Sequence, residues 1–524
     1  MIICGLQIGN EPSACVINNG KLIYYNEERK IRQNKKVEGT PFACLEEIIK
    51  YKVDKFVVST YNFIPEELFQ LESYLKYKKV LQEDQKVFCL FNTHHITHAI
   101  KAFIDSGFKK ARVFVIDGRG SDWYLSDKTQ TYETSSVYDF DKKSIKCIFK
   151  KLFLEKLINR NVFVNYTFNP DSNKTLYKYL PKSVDEGTQF EITDKLDLGH
   201  FYQTISNHFN FKDEEGKFMG YQSYGKFDKN IFSYFKQGLV ESSVYKIERN
   251  YDVAKTAQIY FEHEYLKLVE RFKTKNMVFT GGTGLNVVNN YKIKKHFNKS
   301  NLWFDPLCAD VGNSIGAAYS YLFLNNLKIK KLNNLFIGSE IKVKKSNTSI
   351  NSIINLLKKG KVVGLVQGKA EAGPRALGNR SLLLDPTLKN AKDIMNQIKK
   401  RESFRPFACS VLEEKVSEYF EIQDKSPYMM YAPQATKKAK KLIPSLIHVD
   451  NTCRVQTINK VNNPFLYNLL KNFKIPILMN TSFNLAGFPI IEKYEDIIFC
   501  LKNSTLEYVY FSDYKFLLKN EKKK

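Results

Sequence analysis

Two strand–turn–strand units, far apart in the chain, constrain its fold more than any other feature. The first opens the sequence: MIICGLQIG is an apolar run, GNEPSA a polar turn, and SACVI, NNGK and LIYYNEER read as the hairpin that follows. Short apolar runs bounded by glycine, asparagine and proline predict strands rather than helices. The second unit, ARVFVIDGRGSDWYLSD (111–127), is a buried strand, an Asp-Gly turn and another strand. Both belong in an α/β protein. At 524 residues the chain exceeds what one hydrophobic core can organise, so two or three domains are expected.

Each unit presents a polar turn, and together they resemble the paired phosphate loops of the actin-like ATPase architecture. A third segment, NMVFTGGTGLNVVNNYKI (276–293), is an apolar strand, a glycine-rich turn and a helix start. Its free backbone N–H groups suit a phosphate or ribose. It lacks both the GK[ST] of a P-loop and the spacing of a dinucleotide fingerprint. Past residue 325 the composition turns to lysine and asparagine (NNLKIKKLNNLF, KVKKSNTS), and KKGKVVGLVQG then begins a new strand-rich unit. A domain boundary is therefore expected between 325 and 350.

Metal chemistry is suggested by NTHHITHAIKAFIDSG (92–107). His94 and His98 stand four apart before an apolar-periodic run, so a helix puts them on one face and turns His95 elsewhere. Three of the chain's eight histidines fall within five residues, which favours ligands over packed core histidines. Two imidazoles do not complete a site, and carboxylates must come from other turns. Asp117 in VIDGRG and Asp310 in DPLCADVGNSIGAA sit where a strand or loop meets a glycine. Spacing alone leaves their convergence open.

A second cluster is cationic. GKAEAGPRALGNRS (368–381) combines Gly368, Gly373 and Gly378 with Arg375 and Arg380, whose planar forks match phosphate or carboxylate oxygens. NQIKKRESFRPFACSV (396–411) supplies Lys399, Arg401 and Arg405, HVDNTCRVQTI (448–458) supplies Arg454, and LMNTSFNLAGFPI (478–490) ends a strand with Asn480 and Ser482. Cations beside small hydroxyl and amide donors suit a site for several phosphates, including the charge developed in nucleotidyl transfer. The competing reading is a basic surface. No Ser-His-Asp arrangement is visible.

Net charge alone decides little. Lys+Arg 81 against Asp+Glu 55 gives +26, which favours anionic partners. The excess is mostly lysine, spread beside asparagine and isoleucine as a compositional bias would spread it, so nucleic acid is not the favoured partner. KKAKK (437–441) and KNEKKK (519–524) read as a solvated loop and a frayed tail. Nine cysteines without a CxxC pair suggest buried thiols in a reducing compartment. No run approaches eighteen apolar residues, and the first residues lack a basic leader. A cytoplasmic protein without a membrane partner is expected.

In order along nearly the whole chain stand SACVINNGK, NEER, HHITHA, VIDGRGS, GKFMGYQSYG, GGTGLN, DVGNSIGAA, GPRALGNRS, KKRESFRPFA, HVDNTCRVQT and MNTSFNLAGFPI. With these motifs the chain resembles the nodulation-type O-carbamoyltransferases, a family that includes antibiotic carbamoyltransferases. The resemblance implies an actin-like, two-lobed α/β domain over 1–335 and a YrdC-like α/β domain over 345–524. The C-terminal domain would form carbamoyl-adenylate from carbamoyl phosphate and ATP, with Mg²⁺ accompanying the nucleotide. Lys399, Arg405, Arg454, Asn480 and Ser482 match positions expected to hold the carbamoyl and phosphate groups, and Arg375, Asn379 and Arg380 would line the same pocket. The N-terminal domain would pass the carbamoyl group to an acceptor hydroxyl on a small molecule, sugar or glycan. There His94, His98, Asp117 and Asp310 match metal ligands, often for Fe²⁺, and Gly281, Gly282, Gly284 and Asn286 match a nucleotide-binding turn.

One departure stands in the first loop. The family commonly carries His-Asp ahead of its Ser-Ala, the histidine assisting deprotonation of the acceptor. Here Asn10 and Glu11 occupy those places, and asparagine cannot act as a general base. Either Glu11 is the base, or another group or the metal takes that role, or the acceptor differs from the usual sugar alcohol. The alternatives are the same chemistry on a hydroxymethylated base of DNA or a nucleotide, and a non-catalytic nucleotide-binding homologue. Acceptor specificity is expected in the 150–200 segment.

Overall fold

The computed structural model describes residues 1–61, 65–90, 93–124, 130–154, 187–212, 214–238 and 251–520. Residues 155–186 of the segment expected to set acceptor specificity lie outside the described residues, as do 125–127 of the second strand unit and 521–524 of the basic tail.

Strands β1 (Ile2–Gln7), β2 (Ser13–Asn18) and β3 (Lys21–Glu27) form an antiparallel meander, and β4 (Lys55–Ser59) and β5 (Phe88–Leu90) extend it in parallel from β1. The second sheet repeats this plan. Strands β6 (Lys110–Ile116), β7 (Gln130–Asp141) and β8 (Ile145–Leu154) are its meander, while β10 (Asn276–Thr280) and β11 (Asn301–Phe304) run parallel to β6. Strand β9 (Gln189–Thr193) adds to the outer edge of β8. One topology used twice, with a polar turn after the first strand of each copy, is the two-lobed actin-like arrangement.

Two helices lie between the sheets. Helix α1 (His94–Ser106) packs on the second sheet, and a later helix, Asn313–Leu324, packs on β1, β2 and β4 of the first and against α1. Ile3, Ile100, Val113 and Ile315 meet in the shared core. The contact is close because Gly316 faces Thr97, whose carbonyl oxygen would lie 2.7 Å from any added Cβ. The remaining helices used below are α2 (Leu198–His208), α3 (Glu215–Tyr221), α4 (Tyr251–Arg271) and α5 (Val287–His296). The Asn313–Leu324 helix is then α6, and α7 is Ala391–Lys399.

A third, seven-stranded sheet follows, in the order β15 (Arg454–Ile458), β14 (Ala408–Leu412), β16 (Ile477–Ser482), β13 (Arg380–Leu384), β12 (Val363–Val366), β17 (Tyr508–Phe511) and β18 (Phe516–Lys519). The lysine-rich connector is not a free linker, since its strand Phe336–Glu340 pairs with Lys369–Glu371. KKAKK is not the solvated loop its charge suggested. Thr436 caps a short helix over Lys437–Leu442 that buries Ala439 and leaves Lys440 and Lys441 outward. Amphipathic spacing around one alanine outweighs the charge run. All nine cysteines are buried free thiols. No helix among the described residues is long and apolar enough to cross a membrane.

Candidate active site

His94 and His98 lie on the first two turns of α1, so the four-residue spacing presents both rings to one side. Asp117 follows β6, and Asp310 stands just before α6. The structure brings all four together, with one ligand atom of each within 4.8 Å of the others. Nε2 of His94 lies 3.6 Å from Asp117 Oδ2 and 3.4 Å from Asp310 Oδ1; for His98 Nε2 these distances are 3.5 and 3.3 Å. The two Nε2 atoms are 3.2 Å apart. One carboxylate oxygen of each aspartate is buried without a hydrogen-bond partner. Two imidazole nitrogens and two carboxylate oxygens converging on one point fit a divalent transition metal.

Electrostatics divide the cluster. Burial pushes the Asp117 carboxyl upward, but the His94 and His98 rings outweigh it and hold it at about 2. Asp310 is pushed well above the carboxylate range, chiefly by burial and then by Glu11. Burial and the neighbouring His94 keep His98 neutral, the form that coordinates. His95 turns away, as the spacing requires, and its Nδ1 lies 2.8 Å from Ser136 Oγ. Below it, a buried Glu133–Lys150 pair braces the site, because Glu133 accepts from the backbone N–H groups of His95 and Ser121.

The first loop approaches the same point. Glu11, with φ of 47°, pairs with Arg29 at 2.6 Å, and Arg29 also pairs with Glu27 at 2.7 Å. The glycine-rich turn comes from the other lobe. Gly281 has φ of 88° and so takes a conformation L side chains rarely adopt, and the Gly282 N–H donates to Asp117 Oδ1 at 3.3 Å. Gly284 abuts Cys308. Asn286 caps α5 and bonds to Gln258 of α4.

The cationic residues fall into two groups. Arg375, Arg401, Arg405 and Arg454 are each half-buried. Burial lowers Arg454 well below the usual guanidinium range, with Arg375 and Arg401 lowering it further; Arg401 falls to about 9 through burial and then Arg405, and Arg375 to about 10 through burial. Arg375 donates to the Leu285 carbonyl at 2.9 Å, linking the GPRALG loop to the glycine-rich turn. Arg380 stands apart. Its guanidinium is fully buried and donates to the backbone carbonyls of Gln367, Asn379, Ser339 and Gly368. Asn379 likewise bonds the Lys369 carbonyl.

Sheet register explains the floor of the cationic site. Ala408 pairs with both Asn480 and Arg454, so residues 480, 408 and 454 form one row across β16, β14 and β15. Asn480 donates to Ser410 Oγ at 2.8 Å and to Gln456 Oε1 at 3.1 Å, leaving its own Oδ1 buried without a partner. Gln456 in turn donates to the Leu377 carbonyl of the GPRALG loop. Lys399, at the end of α7, is buried and donates to Asn484 Oδ1 and Ser482 Oγ at 2.8 and 3.2 Å. Burial and the charges of Arg401 and Arg405 lower it well below the usual lysine range.

Sequence reasoning missed Glu371, Ser410 and Gln456. Glu371 Oε1 accepts the backbone N–H groups of Leu377, Asn379 and Arg380, folding the loop around one carboxylate. Its place between Gly368 and Gly373 was the available signal. Ser410 and Gln456 become visible only through register.

Comparison with known proteins adds a family. Residues 354–517 match the family model described as "Carbamoyltransferase C-terminus", and residues 23–263 and 246–319 match "Carbamoyltransferase N-terminus". An uncharacterized protein of Synechocystis sp. is 30% identical over 81% of this chain and 75% of its own. Nodulation protein NolO of Bradyrhizobium diazoefficiens is 27% identical over 77% of this chain and 75% of its own, and nodulation protein U of Azorhizobium caulinodans is 33% identical over 41% of each. Among solved structures, (R)-2-hydroxyglutaryl-CoA dehydratase component A of Acidaminococcus fermentans aligns with 62% of this chain and 98% of its own, at a TM-score of 0.34 and 12% identity. That likeness is too remote to match residues.

Proposed function

The chain belongs to the carbamoyltransferase family, and from that premise we propose that it is an ATP-dependent O-carbamoyltransferase working in two steps. Phosphate leaves carbamoyl phosphate with water, the freed carbamate oxygen attacks the α-phosphorus of ATP, and pyrophosphate departs, giving carbamoyl-adenylate. An acceptor hydroxyl then takes the carbamoyl group and releases AMP.

The observation that carries the first step is the set of four half-buried arginines, Arg375, Arg401, Arg405 and Arg454, in which the charges of Arg375, Arg401 and Arg405 add to burial in lowering Arg454, and Arg405 adds to burial in lowering Arg401. Like charges gathered in a partly desolvated place are offset by a bound polyanion. Asn480 and Ser482 would orient the carbamoyl group from the strand end, and Lys399 would hold that strand end in place. Arg380 and Asn379 would shape the loop from inside. For the second step, His94, His98, Asp117 and Asp310 would hold a divalent metal such as Fe²⁺, which when bound supplies Lewis-acid polarisation of the carbamoyl carbonyl. Gly281, Gly282, Gly284 and Asn286 would cradle the adenylate, and Glu11, held by Arg29, would receive the acceptor's proton.

The protein should release pyrophosphate from ATP only when carbamoyl phosphate is present. Losing one charged phosphate contact costs on the order of 2–4 kcal/mol in the transition state, so Arg405→Ala should slow that release about a hundredfold. Release that is independent of carbamoyl phosphate, or untouched in Arg405→Ala, would overturn the assignment.

A further inference from the structure

The motif GKFMGYQSYG (216–225) carries none of the chemistry above, yet it sits against the loop that bears Arg401 and Arg405 and against the 448–450 turn that precedes Arg454. Lys217 on α3 pairs with Glu402 at 2.7 Å and with Glu214 at 2.6 Å. Glu402 in turn lies 3.5 Å from Arg405. On the same loop, Tyr224 donates to the Phe404 carbonyl at 3.4 Å, and the ring of Tyr221 meets that of Phe404 edge-on at 5.6 Å. The second loop is reached two ways. His448 Nε2 lies 3.0 Å from the Gly220 carbonyl, and Ser223 donates to Asp450 at 2.9 Å. Gly220 lets this happen, since a Cβ there would lie 3.0 Å from Pro406 Cδ.

We propose that Lys217 is a positioning residue for the anion site of the C-terminal domain: through Glu402 it sets the loop that aims Arg405, so this site is complete only when the 216–225 segment of the N-terminal domain is docked on it. The proposal rests on the reading of the arginine cluster as the nucleotide-activating site. Three features support it. The ion-pair line Lys217–Glu402–Arg405 runs from one domain into the other. Among the described residues, Glu402 is the one carboxylate within ion-pair distance of Arg405, and Arg401 has none. Burial would raise the Glu402 carboxyl, but Lys217 and then Arg405 hold it at about 2, so the pair stays charged at any pH of use. A neutral residue at 217 would leave Glu402 to turn onto Arg405 and compete with the anion.

The test compares wild type, Lys217→Met and Lys217→Arg in carbamoyl-phosphate-dependent pyrophosphate release and in amide hydrogen exchange over 400–407. Lys217→Met should lower kcat/KM for ATP about tenfold, and should speed exchange in 400–407 without lowering Tm. Lys217→Arg should restore both. An unchanged kcat/KM, or unchanged exchange, in Lys217→Met would overturn the proposal. If the wild type releases no pyrophosphate, the activating-site reading falls, while faster exchange in Lys217→Met would still support the positioning and unchanged exchange would still refute it.

Discussion

His94 and His98 act on one point because a helix converts a spacing of four into a shared face. Asp117 and Asp310 were only candidates, since one ends a strand in the second lobe and the other precedes a helix on the first. Nothing in the order of residues states that such ends meet. With the four donors assembled, a prediction belongs to this scale. His94→Ala should remove a bound transition metal, measured by elemental analysis after reconstitution, and should slow carbamoyl transfer a hundredfold or more, as expected when several kcal/mol of charge stabilisation is lost. Pyrophosphate release should survive, because the arginines lie in the other domain. Stoichiometric metal in His94→Ala would refute the ligand set. Arg380 teaches the opposite lesson. Its residue type suggested a ligand contact, and its four backbone acceptors show a cation spent inside the fold.

Among elements, the strand–turn–strand units were readable from hydrophobic pattern, but sheet register was not. Ser410 and Gln456 gain meaning only because β14 and β15 pair in parallel with Ala408 opposite Arg454. The NEER segment, where β3 ends and the short helix Glu28–Arg32 begins, shows how one element holds another. Glu27 is buried, accepts the Gly373 N–H at 2.7 Å and pairs with Lys30 at 3.0 Å. Burial raises its carboxyl, while Lys30 and Arg29 outweigh burial and bring it to about 2. A carboxyl depressed in the folded state stabilises above its unfolded value, about 4.3, and that contribution is lost as pH falls from there through about 2. Glu27→Gln should therefore be less stable than wild type in denaturant melts at pH 7, with the gap shrinking below about pH 4. A gap independent of pH would show that shape rather than charge matters at this position.

For the whole molecule, the repeated sheet plan left no repeated sequence behind, because topology depends on the pattern of apolar runs and turns rather than on residue identity. What the chain did display was the pair of polar turns that each copy places after its first strand. The cationic interface likewise has a global signature. Pyrophosphate binding only the folded state should raise Tm, by a free energy of about 2.7 kcal/mol at a hundredfold excess over Kd, and the shift should weaken with added salt. Arg454→Met should abolish that shift and leave the ligand-free protein at least as stable as wild type, since exchanging a desolvated charge for an apolar chain is often neutral or stabilising. A salt-independent shift, or a full shift in Arg454→Met, would place the anion elsewhere.

The four metal-ligand candidates come from both lobes. Asp310 leads into α6, which packs on the first sheet, whereas Asp117 ends β6 of the second and α1 packs on that same sheet. A rotation of one lobe against the other about an axis away from this site would change the span between the two carboxylates. A cation gripped by both carboxylates would tie the lobes together, and its affinity would then gauge the angle between them.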